Sequence, residues 1–220
     1  TTKFLIDSKD LNADDLVVEK LENGLELIGN YEIMSSQKVG PTIADDIKVS
    51  AFWSIMFSLL VIFLYILLRF RKWQFSLGAV AAVFHDVLIV LSIFSLFYGI
   101  LPFSLEIDQA FIAALLTIIG YSLNDTVVVF DRIREHMDIY KKKEFTSLVN
   151  NALNSTLSRT VNTSLTTFFV LLVIFLFGGE IIRGFMFALM VGVIVGTYSS
   201  LFVASPIMVD TIKKSLENKK

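Results

Sequence analysis

Five long apolar blocks constrain this chain more than any other feature. They cover roughly residues 49–68, 75–97, 109–130, 160–177 and 181–208. The hydrocarbon core of a bilayer takes about 20 apolar residues in helical form. Lipid offers no hydrogen bonds, so each backbone N–H and C=O must be met within its own segment. The blocks therefore predict five transmembrane helices, an all-α polytopic membrane helix bundle. Composition points the same way: 55% of the 220 residues are hydrophobic and mean hydropathy is +0.69, more apolar surface than a soluble domain of this size can bury.

The flanks give the orientation. Basic residues gather after the first block (Arg69, Arg71, Lys72), after the third (Arg132, Arg134, Lys141, Lys142, Lys143) and after the fifth (Lys213, Lys214, Lys219, Lys220). The positive-inside rule places these three connections in the cytoplasm. Residues 1–48 then lie outside and residues 211–220 form a basic cytoplasmic tail, with residues 49–210 as the transmembrane domain. The first 48 residues carry ten acids against five lysines, which does not conflict. Lys3–Ile6 is strand-like, Asp10–Leu21 has helical spacing ended by Asn23-Gly24, and short strands suit Leu25–Ile28 and Tyr31–Met34. This is part of an α+β domain, too small to bury a core alone. With no start Met and no apolar h-region, the chain is expected to be the C-terminal part of something longer.

Polar residues inside the blocks carry the functional expectations. Asn124-Asp125 sits in the third block, roughly 9 Å inward from Asp131 at the helical rise. A carboxylate at mid-helix costs about 2.5–3.5 kcal/mol on insertion scales, so it needs a partner or a wet cavity. Either Asp125 is a protonatable group on an ion path, or it is a buried acid that ties two helices together. Arg159 enters the fourth block beside Thr160, Asn162, Thr163, Ser164, Thr166 and Thr167. Close to Asp125, an arginine would favour the acid's charged form, and a proton arriving there would free the helices to move. The plainer alternative is an arginine snorkelling at the interface. His85-Asp86 lies near the middle of the second block, as a second-tier relay or as a pair that fixes packing. In the fifth block Ala188, Gly192, Gly196 and Ser200 recur every four residues, a seam for close helix packing.

Several chemistries lack their residues. There is no Cys, so no disulfide framework and no thiolate. The two histidines, His85 and His136, are far apart, which argues against a His-based zinc site. No phosphate loop, nucleophile elbow or basic-aromatic patch occurs, so neither an enzyme nor a nucleic-acid partner is expected, and protons are the coupling ion expected in place of a cofactor.

The stretch Gly120-Tyr121-Ser122-Leu123-Asn124-Asp125-Thr126-Val127-Val128, with Phe130-Asp131-Arg132-Ile133-Arg134-Glu135, is similar to the signature of the SecF family of protein-export membrane subunits. Val39-Gly40-Pro41, His85-Asp86-Val87 and Leu157-Ser158-Arg159-Thr160 match as well, and the spacing of all five blocks is kept. The resemblance implies the resistance-nodulation-division superfamily and a ferredoxin-like extracytoplasmic domain. It also implies a bacterial cytoplasmic (inner) membrane setting, with SecD, the SecYEG channel and unfolded preprotein as partners beside membrane lipid. The family's work is to use the proton-motive force to assist preprotein export, with its relay acid falling on Asp125 and its essential arginine on Arg159. Family members carry one more span and a complete external domain, so a truncated SecF or the C-terminal piece of a fused SecDF is expected. Two rivals stand beside this: a proton-driven exporter of lipids or drugs from the same superfamily, and a scaffold that transports nothing.

Overall fold

The computed structural model describes residues 41–140 and 143–218, with side-chain surroundings from residue 49 onward. The ferredoxin-like domain expected over residues 1–48 therefore falls outside the described residues, except that a helix already begins at Pro41. All the described elements are helical: α1 (Pro41–Phe70), α2 (Trp73–Phe97), α3 (Gln109–Ile139), α4 (Phe145–Phe177), α5 (Glu180–Ser199) and α6 (Ser205–Glu217). Residues Ser200–Ala204 form a π-helical segment that joins α5 to α6 without a break. Five stretches are long and apolar enough to cross a membrane: Val49–Phe70, Trp73–Phe97, Gln109–Ile139, Phe145–Phe177 and Glu180–Ser215.

Helix boundaries reflect local chemistry. Pro41 suits a first helical residue, because its φ is preset and its missing N–H would be unpaired there anyway. Asp108 caps α3 by accepting from the Phe111 N–H at 2.8 Å. Glu144 caps α4 by accepting from the Ser147 N–H at 3.3 Å. The hydroxyl of Thr146 also bonds the Glu144 carboxylate and holds it below the usual glutamate range. Between α1 and α2 the chain reverses over two residues, with Arg71 at φ +57° and its N–H donating to the Leu67 carbonyl at 2.8 Å. Helices normally place glycine at such a left-handed cap, since any other L-residue costs about 1–2 kcal/mol there.

Inside the bundle, α3 and α5 lie closest. A Cβ at Gly192 would collide with the Ile118 side chain, and one at Gly196 would sit 3.0 Å from Ser122 Cβ. With Ala188 fully buried, the small-residue seam of α5 thus meets α3 of the same chain. Association in lipid relies on such close packing, because tails are as apolar as the side chains they would replace. Two apolar clusters flank the seam. At the basic end Phe70 stacks on Phe75 at 5.1 Å between centroids, and both rings meet Phe130 edge-on. At the other end Phe94 lies 4.3 Å from Phe111, above Leu115 and Ile118. The π segment adds a residue to the turn, which rotates α6 by about 100° and brings Met208 and Ile212 back onto the core. The Ser205 hydroxyl donates to the Ser200 carbonyl across it at 3.1 Å.

Helix α1 docks by a single stripe, Leu59, Ile62, Ile66 and Phe70, at helical spacing. Trp53, Phe57, Leu60, Leu64 and Leu68 on its other side are exposed, as a lipid-facing helix requires.

The seam gives a direct expectation. Gly192→Val places branched carbons against Ile118 and should lower stability by about 1–3 kcal/mol, read as an earlier midpoint in a denaturing-detergent titration. Gly120→Ala, whose Cβ would meet nothing within 4 Å, should be neutral or slightly stabilising.

Candidate functional site: two buried carboxylates

Two aspartates are buried at the level of the spans, and they are met very differently. Asp86 on α2 is wholly buried. Its Oδ2 accepts from the Ser122 hydroxyl of α3 at 2.5 Å and from the Ser199 hydroxyl of α5 at 2.8 Å. Its Oδ1 lies 3.1 Å from His85 Nδ1, which donates in the tautomer carrying that hydrogen. Three side chains thus serve one carboxylate, and the bonds join α2, α3 and α5. Hydrogen bonds to a charged acceptor contribute about 1.5–3 kcal/mol each, so Asp86 is a strong lock. His85 is half-buried and leans toward Tyr198, 6.4 Å between ring centres.

Asp125 on α3, one helical turn beyond Ser122, is 4% exposed. It accepts one side-chain hydrogen bond, from Ser164 of α4 at 3.5 Å, the outer limit for such a bond. That hydroxyl has a competing acceptor and further hydroxyl neighbours. It lies 2.9 Å from the Thr160 carbonyl and 2.5 Å from Thr197 Oγ1 of α5, and Tyr121 donates to it at 3.4 Å. A hydroxyl carries one proton, so when Ser164 donates to Asp125 it must abandon the Thr160 carbonyl, whereas Thr197, able to act as either donor or acceptor, can still donate to it. Asp86 is fully served, whereas Asp125 shares a single donor.

The other residues singled out by sequence divide around this pair. Ser164 and Thr160 are buried and turn toward the bundle interior. Arg159 is exposed and makes no ion pair with Asp125. The reason is rotational: five residues along a helix turn through about 140° from the Ser164 direction. Asn162, Thr163 and Thr166 share the exposed side of α4 with Arg159, and Asn124 is exposed on α3. Among the described residues Asn124 makes no side-chain hydrogen bond. Exposed polar side chains thus stand on both helices around the buried carboxylate: Asn124 beside it in the α3 sequence, and Arg159, Asn162, Thr163 and Thr166 on one side of α4. Gly192, Gly196 and Ala188 pack on α3 as described, and Ser200 is buried, donating to the Thr197 carbonyl at 3.0 Å.

Two participants had little signal in the sequence. Thr197 and Ser199 stand in an apolar block beside Gly196 and read as small packing residues. Their hydroxyls serve the Ser164 and Asp86 centres, and only tertiary contact reveals that. Among the described residues no group of three His, Asp or Glu side chains is placed to hold a metal ion.

The contrast between the acids has a measurable consequence. Asp86→Ala leaves the Ser122 hydroxyl without its acceptor inside the bundle and Ser199 with only the Gly196 carbonyl at 3.2 Å, and is expected to cost at least about 2 kcal/mol more than Asp125→Ala in a denaturing-detergent titration.

Comparison with known proteins agrees with the helical fold. The family profile described as protein export membrane protein SecD/SecF, C-terminal, matches residues 19–214. The protein translocase subunit SecF of Rhodothermus marinus is 62% identical over 179 residues, covering 81% of this chain and 58% of that relative. The SecF subunit of Rhodobacter capsulatus is 44% identical over 193 residues, covering 87% and 56% respectively. A crystal structure of SecDF in super-membrane-facing form superposes with a TM-score of 0.73 at 36% identity, covering 92% of this chain and 27% of that one. The chain therefore spans little more than half the length of these SecF relatives and about a quarter of the SecDF chain. With nearly its whole length matched by the profile and a close relative sharing more than half its residues, this chain belongs to the SecD/SecF family of protein export membrane proteins.

Proposed function

We propose that this chain is the SecF part of a proton-driven accessory to the Sec translocase, resident in the bacterial cytoplasmic membrane. One observation carries the reading: Asp125 is buried within the spans yet has a single, long, contested hydrogen bond. A carboxylate in that position changes its surroundings most when a proton arrives. The neutral acid no longer calls on Ser164, whose hydroxyl then turns to the Thr160 carbonyl or to Thr197. The link between α3 and α4 is released, and the helices gain freedom to shift. Arg159 and Asn124 are both exposed polar groups on the two helices that this bond joins, where they would hold water and set the field around the arriving proton. Each charge that crosses the membrane field brings about 2.3 kcal/mol per 100 mV, enough to bias such a change.

The exposed polar groups also support a partner. Polar groups at span level are not left facing lipid, so they call for another protein segment or a wet cavity. The relatives are named as protein translocase subunits, and the SecDF chain extends far beyond the matched part. In this reading SecD covers Asn124 and Arg159 and supplies an acid of its own, SecYEG lies alongside, and unfolded preprotein is the cargo. By the distribution of its basic residues, residues 1–48 lie outside and the C-terminus lies in the cytoplasm. Asp86 with His85 holds α2, α3 and α5 as the fixed part against which α4 moves.

Asp125→Asn is expected to abolish both proton flux and export stimulation in vesicles holding this chain with its SecD portion, while insertion and assembly remain normal. Full stimulation of export by that variant would overturn the proposal.

A further inference from the structure

We propose that the cleft at the basic end of the bundle binds the phosphate headgroup of an anionic phospholipid. The cleft holds about 670 Å³ and is lined by Leu68, Arg69, Phe70, Arg71, Arg134 and Asp138. Two of its arginines are fixed in place. Arg69 Nη2 donates to Asp131 Oδ2 at 2.8 Å, and Arg134 Nη1 donates to the Arg69 backbone carbonyl at 3.2 Å. Both guanidinium groups lie over the buried Phe70 ring, 5.3 and 5.4 Å from its centroid. A guanidinium has five N–H donors, so each keeps several for a ligand after these contacts. Their forked geometry matches phosphate oxygens.

Arg71 is the third cation. It has no carboxylate partner among the described residues, and it occupies the left-handed cap where glycine would fit the backbone better. Three arginines and the neighbouring Lys72 face two aspartates, Asp131 and Asp138, so the cleft keeps a net positive field suited to one phosphodiester. Its lower wall distinguishes lipid from free phosphate. Leu68 is 79% exposed within the same cleft, and the exposed Leu64, Tyr65 and Trp73 continue the apolar surface along α1 and the start of α2. A headgroup held by the arginines would lay its acyl chains against that surface, and tryptophan at such a level is the usual interfacial anchor. Basic pockets between spans take anionic headgroups on this principle.

The test is native mass spectrometry of the full chain released from micelles that hold phosphatidylglycerol and phosphatidylcholine in equal amounts. Retention of phosphatidylglycerol about fivefold over phosphatidylcholine is expected, since one cation near the surface is worth about that factor. Arg71→Gly removes the charge while relaxing the turn, so it should reduce retention about fivefold with thermal stability equal or higher. Asp138→Asn removes an opposing charge and should increase retention. Millimolar inorganic phosphate, added as the free-anion arm, should leave retention unchanged. Equal retention of the two lipids, full retention by Arg71→Gly, no gain in Asp138→Asn, or displacement by inorganic phosphate would each overturn the proposal.

Discussion

The carboxylate of Asp86 sits where α2, α3 and α5 cross, and the packing of the bundle is arranged so that hydroxyls reach it. In lipid there is no water to serve an unmet charge, so the acid is tolerable only if Ser122 and Ser199 arrive together. Ser122 comes close because Gly196 leaves room beside it, and Gly192 does the same for Ile118 one turn away. The small-residue seam and the buried hydrogen bonds are therefore one constraint expressed twice. Immediately after Ser199 the helix passes into its π segment, which lets Ser199 face Asp86 while Met208 still returns to the core.

Against that fixed centre, Asp125 is the weakly held acid. The two carboxylates face different helices from neighbouring turns: Asp86 reaches α3 and α5, and Asp125 reaches α4. A bundle in which one acid locks three helices and another holds a fourth by a single contested bond has a rigid part and a releasable part. The two helices joined by that contact also carry exposed polar side chains, Asn124 on α3 and Arg159 on α4, for which a bilayer demands cover. Hydrogen bonds between membrane helices are modest, so losing one long bond is a small barrier to motion.

Much of this is legible in the amino-acid sequence. The five apolar blocks have the length of membrane helices, and Asp86, Asp125 and Arg159 stand out because charge inside such blocks is rare. The regular spacing of Ala188, Gly192 and Gly196 marks a packing seam, though not its mate. Which way each helix is turned is not legible. The apolar residues of a membrane helix surround it on all sides, so hydropathy gives little rotational phase. Sequence reasoning brings Arg159 to Asp125 because both are charged and near one boundary; the geometry gives Asp125 to Ser164 and leaves Arg159 on the outside. The three-helix grip on Asp86 is hidden for the same reason, since Ser122 and Ser199 are polar groups whose direction only packing decides. Arg71 is legible as a basic flanking residue and not as a left-handed cap, because the tight reversal between α1 and α2 has no glycine to announce it.

The division of labour between the two acids is tested most directly by pH-difference infrared spectroscopy of the chain with its SecD portion in lipid. The carbonyl band of a protonated, buried carboxyl is followed in the native sequence, in Asp125→Asn and in Asp86→Asn. The expected result is a titrating band that disappears in Asp125→Asn and persists in Asp86→Asn. A band that survives in Asp125→Asn and vanishes in Asp86→Asn would contradict it, and would make the locked acid the one that carries the proton.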